Sequence, residues 1–439
     1  MSGEKTELSA KQISRIKKKM LKDISFAFLC LMILVLSLLV VTLTQCSGDL
    51  VGPENSDEPV VRELTKSEKQ IASSSIPFGL KLFKKINEAE GEKNIFISPL
   101  SVSMALGMTL NGANGKTYDD MKTIMELTGL TQTEINEAYK SLSELLVGID
   151  PKTKFDIANS IWYRHTLTFE KEFIDINKNY FSSEVSPLDF NDPNSVSVIN
   201  DWVNRSTNGK ITDILNRIPA NAIMYLINAI YFKGTWKYEF DKSNTEDGMF
   251  NLLNGTGTNC KLMYQENEFA YHANSEYQVI DLPYGNTAYN MTVILSNESI
   301  SVNEWITQLD EAKWNEMLTS MSLQKGKLYL PKFTLEYEKL LNDDLSAMGM
   351  ESAFNPGEAD FTKMYKPGNI FISKVKHKTF VKVDEEGTEA AAVTSVEVSF
   401  TSVGGNGFLM YVNRPFVFVI RERFSNTILF MGKIINPNS

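Results

Sequence analysis

From Ser67 to Pro437 the chain alternates between segments of helical and of strand character without one low-complexity break or internal repeat. A stretch of that length has to bury a large core, and mixed segments with no second linker pack most economically as a single α+β domain. Local signals agree. Asp192-Pro193 before Ser197 to Asn208, followed by Gly209, supplies a cap, a first-turn proline and a terminal glycine for a short helix whose apolar residues include Ile199, Trp202 and Val203. Phe155, Ile157, Ile161 and Tyr163 alternate as a strand interrupted on its inner face by Asn159. Phe416 to Ile420 and Ile428 to Met431 flank a turn at Ser425-Asn426 and predict a buried hairpin.

Charge and cysteine usage remove several function classes. The formal net charge is −10, and residues 1 to 45 carry seven Lys/Arg against three Asp/Glu, so the remainder stands at 37 − 51 = −14. Such an acidic domain lacks the footprint for nucleic acid, heparin or an anionic membrane surface. Cys30, Cys46 and Cys260 are the only cysteines, and Cys30 sits inside an apolar run, so no disulfide framework can be built. His165, His272 and His377 show no metal-ligand spacing, and neither metal nor cofactor is expected.

The first 45 residues read as an address. Lys17, Lys18, Lys19 and Lys22 precede an uncharged stretch from Ile24 to Gly48 with its apolar heart at Phe26 to Leu43, the order of an export signal. At ~1.5 Å per residue it is also long enough to remain as a membrane span. Leu43-Thr44-Gln45-Cys46-Ser47 resembles a bacterial lipobox, which would make Cys46 a lipidated first residue, although Gln45 departs from the usual small residue. Lipoprotein, uncleaved anchor and dispensable signal all place the domain outside the cytoplasm, at the cell envelope or surface. Residues 46 to 66 mix Gly, Pro, Ser and acids and read as a flexible tether, with the domain at 67–439.

Catalytic motifs mostly fail. Asn114-Gly115-Lys116-Thr117 looks like the end of a phosphate-binding loop, but Leu110 stands where the first glycine belongs. Gly404-Gly405-Asn406-Gly407 runs into an apolar segment rather than a helix and reads as a plain loop. There is neither a G-x-S-x-G elbow nor an H-E-x-x-H pair.

The informative stretch is Glu385 to Met410, which has no basic side chain and is long for a loop inside a compact domain. Its patterning is that of a strand. Thr388, Ala390, Ala392, Thr394, Val396 and Val398 occupy one parity and are all small or β-branched; four of the six residues on the other parity are polar. Gly387 at its base frees the backbone. An ordinary permanent strand followed by a glycine loop accounts for this composition equally well.

Four stretches, in order, resemble the serpins, the serine-protease-inhibitor superfamily: Asn94-Ile-Phe-Ile-Ser-Pro-Leu-Ser101, Asn228-Ala-Ile-Tyr-Phe-Lys-Gly-Thr-Trp236, Glu385-Glu-Gly-Thr-Glu-Ala-Ala-Ala392, and Asn413-Arg-Pro-Phe-Val-Phe418 with Phe430-Met-Gly-Lys433. The resemblance spans Ser67 to Pro437. It implies a large central β-sheet with further sheets, about nine helices and an exposed reactive-centre loop. A protease cuts that loop, whose leading part then enters the central sheet as a new strand and drags the acylated enzyme with it. The inhibitor needs no catalytic residue of its own. Gly387, Thr388, Ala390, Ala391 and Ala392 match the loop hinge of inhibitory members. Ser98, Ser101, Asn228 and His377 match the polar shutter beneath the opening strands, for which a satisfied core polar group is an equally good reading. Trp236 matches the breach where insertion begins. The family's spacing from Gly387 places the scissile bond at Thr401–Ser402, with Phe400–Thr401 as runner-up, whereas counting back from Asn413 reaches Gly404. With no Lys or Arg from Gly387 to Asn413, elastase-, subtilisin- or chymotrypsin-like serine proteases are the expected partners, along with a papain-like cysteine protease by similar acyl chemistry. A monomer is expected. A non-inhibitory serpin serving as a binding or chaperone-like module is the alternative, and an unrelated enzyme a distant third.

Overall fold

The computed structural model describes residues 58–59, 61–388 and 407–439, all within one compact unit, Glu58–Ser439. The segment 1–45, Cys46, most of the tether, Ala390, Ala391, Ala392, Phe400, Thr401 and Ser402 lie outside the described residues. No described helix is long and apolar enough to cross a membrane.

Nine helices occur among the described residues: α1 (Lys66–Ala89), α2 (Pro99–Leu110), α3 (Gly115–Ile124), α4 (Gln132–Gly148), α5 (Lys171–Phe181), α6 (Asn194–Ser206), α7 (Val302–Gln308), α8 (Glu311–Ser320) and α9 (Asn342–Leu345). Thr65 and Glu68 close a reciprocal capping box at the start of α1. Glu68 is buried and meets Arg62, whose guanidinium holds that carboxyl down to about 2 and also reaches the Ser141 hydroxyl at 2.8 Å. The last residues read as tether are thus tied to α1 and α4. Every residue of α2 is buried, and its lack of a polar face follows from packing against both sheets. α6 begins at Asn194, three residues earlier than the sequence reading. Pro193 takes the cap position and the Asp192 carboxylate accepts the Asn194 N–H at 2.9 Å.

The smaller sheet has six strands in the order β10 (Phe333–Leu340), β11 (Lys374–Asp384), β12 (Gly387–Thr388), β4 (Met224–Thr235), β2 (Lys154–Arg164) and β3 (Glu184–Leu188). The larger runs β1 (Ile95–Ile97), β15 (Ile428–Ile434), β14 (Phe416–Glu422), β8 (Tyr289–Ser296), β7 (Tyr277–Pro283), β6 (Gly257–Ala273), β9 (Ser322–Pro331), β13 (Phe408–Tyr411), with β5 (Glu246–Asn251) also paired to β6. β14 and β15 form the expected hairpin, buried throughout, with Asn426 at a positive φ in its turn. The main core fills the space between sheets and helices. A second apolar cluster, containing Trp162, Ile199, Val203, Ile211, Ile214, Tyr225 and Ile227, seals α6 and the segment 207–222 onto the outer face of the six-stranded sheet.

Candidate functional site: a seam in the six-stranded sheet

β4 and β11 are parallel neighbours only at one end, where Lys374–Lys378 pair with Tyr225–Ala229. At the other end they pair with β12, which lies antiparallel to both: Gly387 opposite Thr235 and Asp384, Thr388 opposite Gly234 and Val383. Between these ends residues 379–382 and 230–233 face each other without strand pairing, although β10 and β2 still pair with their outer edges. The sheet is therefore zipped at its base and wedged open at its top by two residues. About 16 Å of strand separates the two ends, at ~3.3 Å per residue.

At the top, backbone geometry dictates a glycine. Gly387 has φ +148, and a Cβ there would lie 2.1 Å from the Gly234 carbonyl oxygen. Thr388 follows with only 1% of its surface exposed, its hydroxyl sharing a 2.6 Å hydrogen bond with that of Tyr284. The Tyr284 ring stacks on Trp236, centroids 4.4 Å apart. Trp236 in turn donates its indole N–H to the Asp384 carbonyl at 2.9 Å and its backbone N–H to the Glu386 carbonyl at 2.9 Å. Glu385 accepts from Lys332 at 2.7 Å and from the Thr245 hydroxyl at 2.7 Å. Burial alone would raise that carboxyl; the Lys332 and Thr245 bonds outweigh it and hold the group below its usual range. Glu386 pairs with Lys242. Gly387, Thr388 and Trp236, singled out from sequence, thus meet at one place, joined by Glu385, which the sequence reading quoted without a role, and by Tyr284 and Lys332, which it did not include.

At the base, His377, Asn228 and Asn159 form a lateral row on β11, β4 and β2. The backbone N–H of Ser98 donates to His377 Nε2 at 3.1 Å, so the neutral ring carries its proton on Nδ1, which has no partner. Complete burial pushes His377 down to about 4. Asn228 donates to the Asn159 carbonyl oxygen, leaving Asn228 Oδ1 and Asn159 Nδ2 unpaired. Ser98 caps α2, accepting from Ser101 N–H at 3.3 Å and donating to the Leu429 carbonyl at 2.6 Å; the buried Ser101 hydroxyl is also unpaired. Ser98, Ser101 and His377 therefore gather directly, with Asn228 beside them in register. Asn159 completes the row, and its signal was the polar break in an otherwise apolar inner face. A buried orphan costs about 1–3 kcal/mol, and this end of the sheet is polar, with side-chain atoms that no protein group satisfies.

The segment 207–222 overlies the seam on the outer face. Lys378 of β11, 3% exposed, donates to the Asp213 carbonyl at 2.8 Å and pairs with Glu336 of β10 at 2.6 Å. Asn114-Gly-Lys-Thr117 starts α3 and is spent on packing: Lys116 pairs with Asp120, and the Thr117 hydroxyl accepts the Asp360 N–H at 3.0 Å.

Comparison with known proteins places this arrangement. A family model described as Serpin (serine protease inhibitor) matches residues 73–437. The leukocyte elastase inhibitor of Xenopus laevis is 32% identical over 380 residues, covering 84% of this chain and 100% of its own. Among solved structures, the thermophilic serpin tengpin in its native state superposes with TM-score 0.78 at 34% identity, covering 86% of this chain and 96% of that one; its latent state gives 0.72. Human thyroxine-binding globulin matches with TM-score 0.78 at 26% identity over 85% of this chain and 100% of its own.

Proposed function

Because this chain belongs to the serpin family, we propose that it is a suicide-substrate inhibitor of elastase-, subtilisin- or chymotrypsin-like serine proteases, trapping the acyl-enzyme when the cut loop enters the six-stranded sheet. The family contains both an elastase inhibitor and a thyroxine carrier, so the choice rests on this chain's own seam. One observation carries it: Gly387 and Thr388 already occupy the top of a gap between β4 and β11, and the residues that follow them are small and alternate with strand parity.

Residues 388 to 401 number 14 and would extend ~45 Å as a strand. Seated between two existing strands, they would make on the order of ten to fourteen ladder hydrogen bonds at ~0.5–1.5 kcal/mol net each. Even the low end is comparable with the ~5–15 kcal/mol that holds a typical domain folded, so the uncut state is held kinetically. The protease's oxyanion hole and triad work only in near-native geometry; dragging the enzyme the length of the sheet distorts them and stalls deacylation.

A panel of subtilisin, chymotrypsin and pancreatic elastase, resolved on denaturing gels, tests this. The trap gives a covalent band at the sum of the two masses with at least one enzyme. Cleavage with no such band from any of them would instead favour a non-inhibitory binding module. Anchoring at the cell surface through a lipid on Cys46 belongs to the same proposal. Incorporated labelled fatty acid should vanish in Cys46→Ala, and label retained by that variant would exclude the site.

A further inference from the structure

The two walls of the seam share one frame. At the base Lys374 to Lys378 face Tyr225 to Ala229; at the top β12 sets Val383 level with Gly234 and Asp384 level with Thr235, the same offset along the sequence. A strand seated between the walls would therefore run in a single register downward from Thr388. Alternation decides which face each of its residues takes, because a slip of one position would turn every side chain over. A slip of two is another matter. Thr388, Ala390, Ala392 and Thr394 follow one another on the inner parity and differ little in size, so packing alone barely separates the frames.

Charge on the outer face does separate them. Level with the position just after Thr388 stand Lys233 of β4 and Lys382 of β11, and Lys154 of β2 lies opposite Lys233. These lysines point away from the core: Phe232, Gly234, Val381 and Val383 beside them are buried, whereas Lys154 and Lys382 are exposed and Lys233 is half-buried. Like charges side by side in a sheet are destabilising, and two of the three have a carboxylate on their own strand, Lys154 near Asp156 at 3.5 Å and Lys382 on Asp384 at 2.8 Å. The residue that would sit between Lys233 and Lys382 is Glu389, and in the same register Glu397 would come level with Lys374. Both acids of the 388–401 segment thus meet lysine. Glu389 and Glu397 lie outside the described residues; the lysines that would receive them lie within. Slipped by two toward the base, Glu389 would fall between Tyr231 and Phe380; slipped by two the other way, it would face the Asp384 carboxylate.

We propose that Lys233 and Lys382 are positioning residues that receive the Glu389 carboxylate and lock the register in which the cut loop enters the sheet, with Lys374 and Glu397 as the matching contact at the far end. This rests on the inhibitory reading above and deepens it by naming what selects the frame. A strand that starts in register fills the sheet before the acyl-enzyme hydrolyses. One that starts out of register has to withdraw first, and the delay lets the protease escape.

The test uses the full chain against subtilisin, chymotrypsin and pancreatic elastase. On denaturing gels the ratio of released, cleaved inhibitor to covalent complex reports how insertion competes with deacylation. Glu389→Gln, which alters no described residue, and the double variant Lys233→Gln/Lys382→Gln should each raise that ratio about fivefold with an enzyme that the wild type traps, while the rate of loop cleavage is unchanged. The triple variant should show no further rise, since both changes remove one interaction. High salt should raise the ratio for wild type and leave the triple variant unmoved. Equal ratios for wild type and Glu389→Gln, or effects that multiply in the triple variant, would overturn the register lock and leave the trap intact. Failure of the wild type to form a complex with any of the three enzymes would overturn the trap and this contact with it.

Discussion

His377 shows how a single residue ties sequence to behaviour. Its ring accepts from Ser98 at the cap of α2 and lies beside Asn228, so it stitches α2 to the seam while remaining neutral. The folded value of about 4 lies below the ordinary 6.5. Between these values the unfolded chain binds a proton that the folded one refuses, so the stabilising contribution is complete above about pH 6.5 and declines as pH falls toward 4. This amounts to roughly 2 kcal/mol lost between pH 7 and pH 5. His377→Gln, which keeps an acceptor without a titrating ring, should show a smaller shift of the urea midpoint over that interval. An unchanged pH dependence in the variant would mean that other groups carry it. Ser98, Ser101, Asn228 and His377 were reached through the family resemblance, not from their local pattern, and the structure places them together. The Glu385–Lys332 pair was not legible in the sequence, since 53 residues separate the two and each sits in a short link between strands.

At the scale of elements, β12 is the piece on which the proposed function turns. It is two residues long and makes sense only as the leading end of a longer strand, because its neighbours β4 and β11 part below it. Thr388 sits against Tyr284 with no room for a charge. Thr388→Arg would need to bury a guanidinium without a partner, and insertion should fail. On gels this variant should be cleaved as fast as wild type while the covalent band disappears; a persisting band would show that Thr388 does not have to enter. Alternation of small residues along one segment gave a strand-like pattern, and the hinge role was implied by the family resemblance. The seam was not legible, because it is a property of two strands about 150 positions apart and of how far they pair. Local patterns likewise gave the hairpin β14–β15 and the helix α6, whose start lies three residues earlier than read because Pro193 itself takes the cap position.

On the proposed function, the whole molecule is less stable with its loop uncut than with that loop inserted. An apolar core fills the space between two sheets, yet one of those sheets is left with an unfilled interval, orphaned polar atoms at its base and a covering segment held by Lys378. The direct measurement is the melting temperature before and after a protease nicks the loop. If the segment after Gly387 completes the sheet, the added stability is at least ~5 kcal/mol, and the transition should rise by more than about 10 °C. A nicked protein that melts at the same temperature as the intact one would contradict the account.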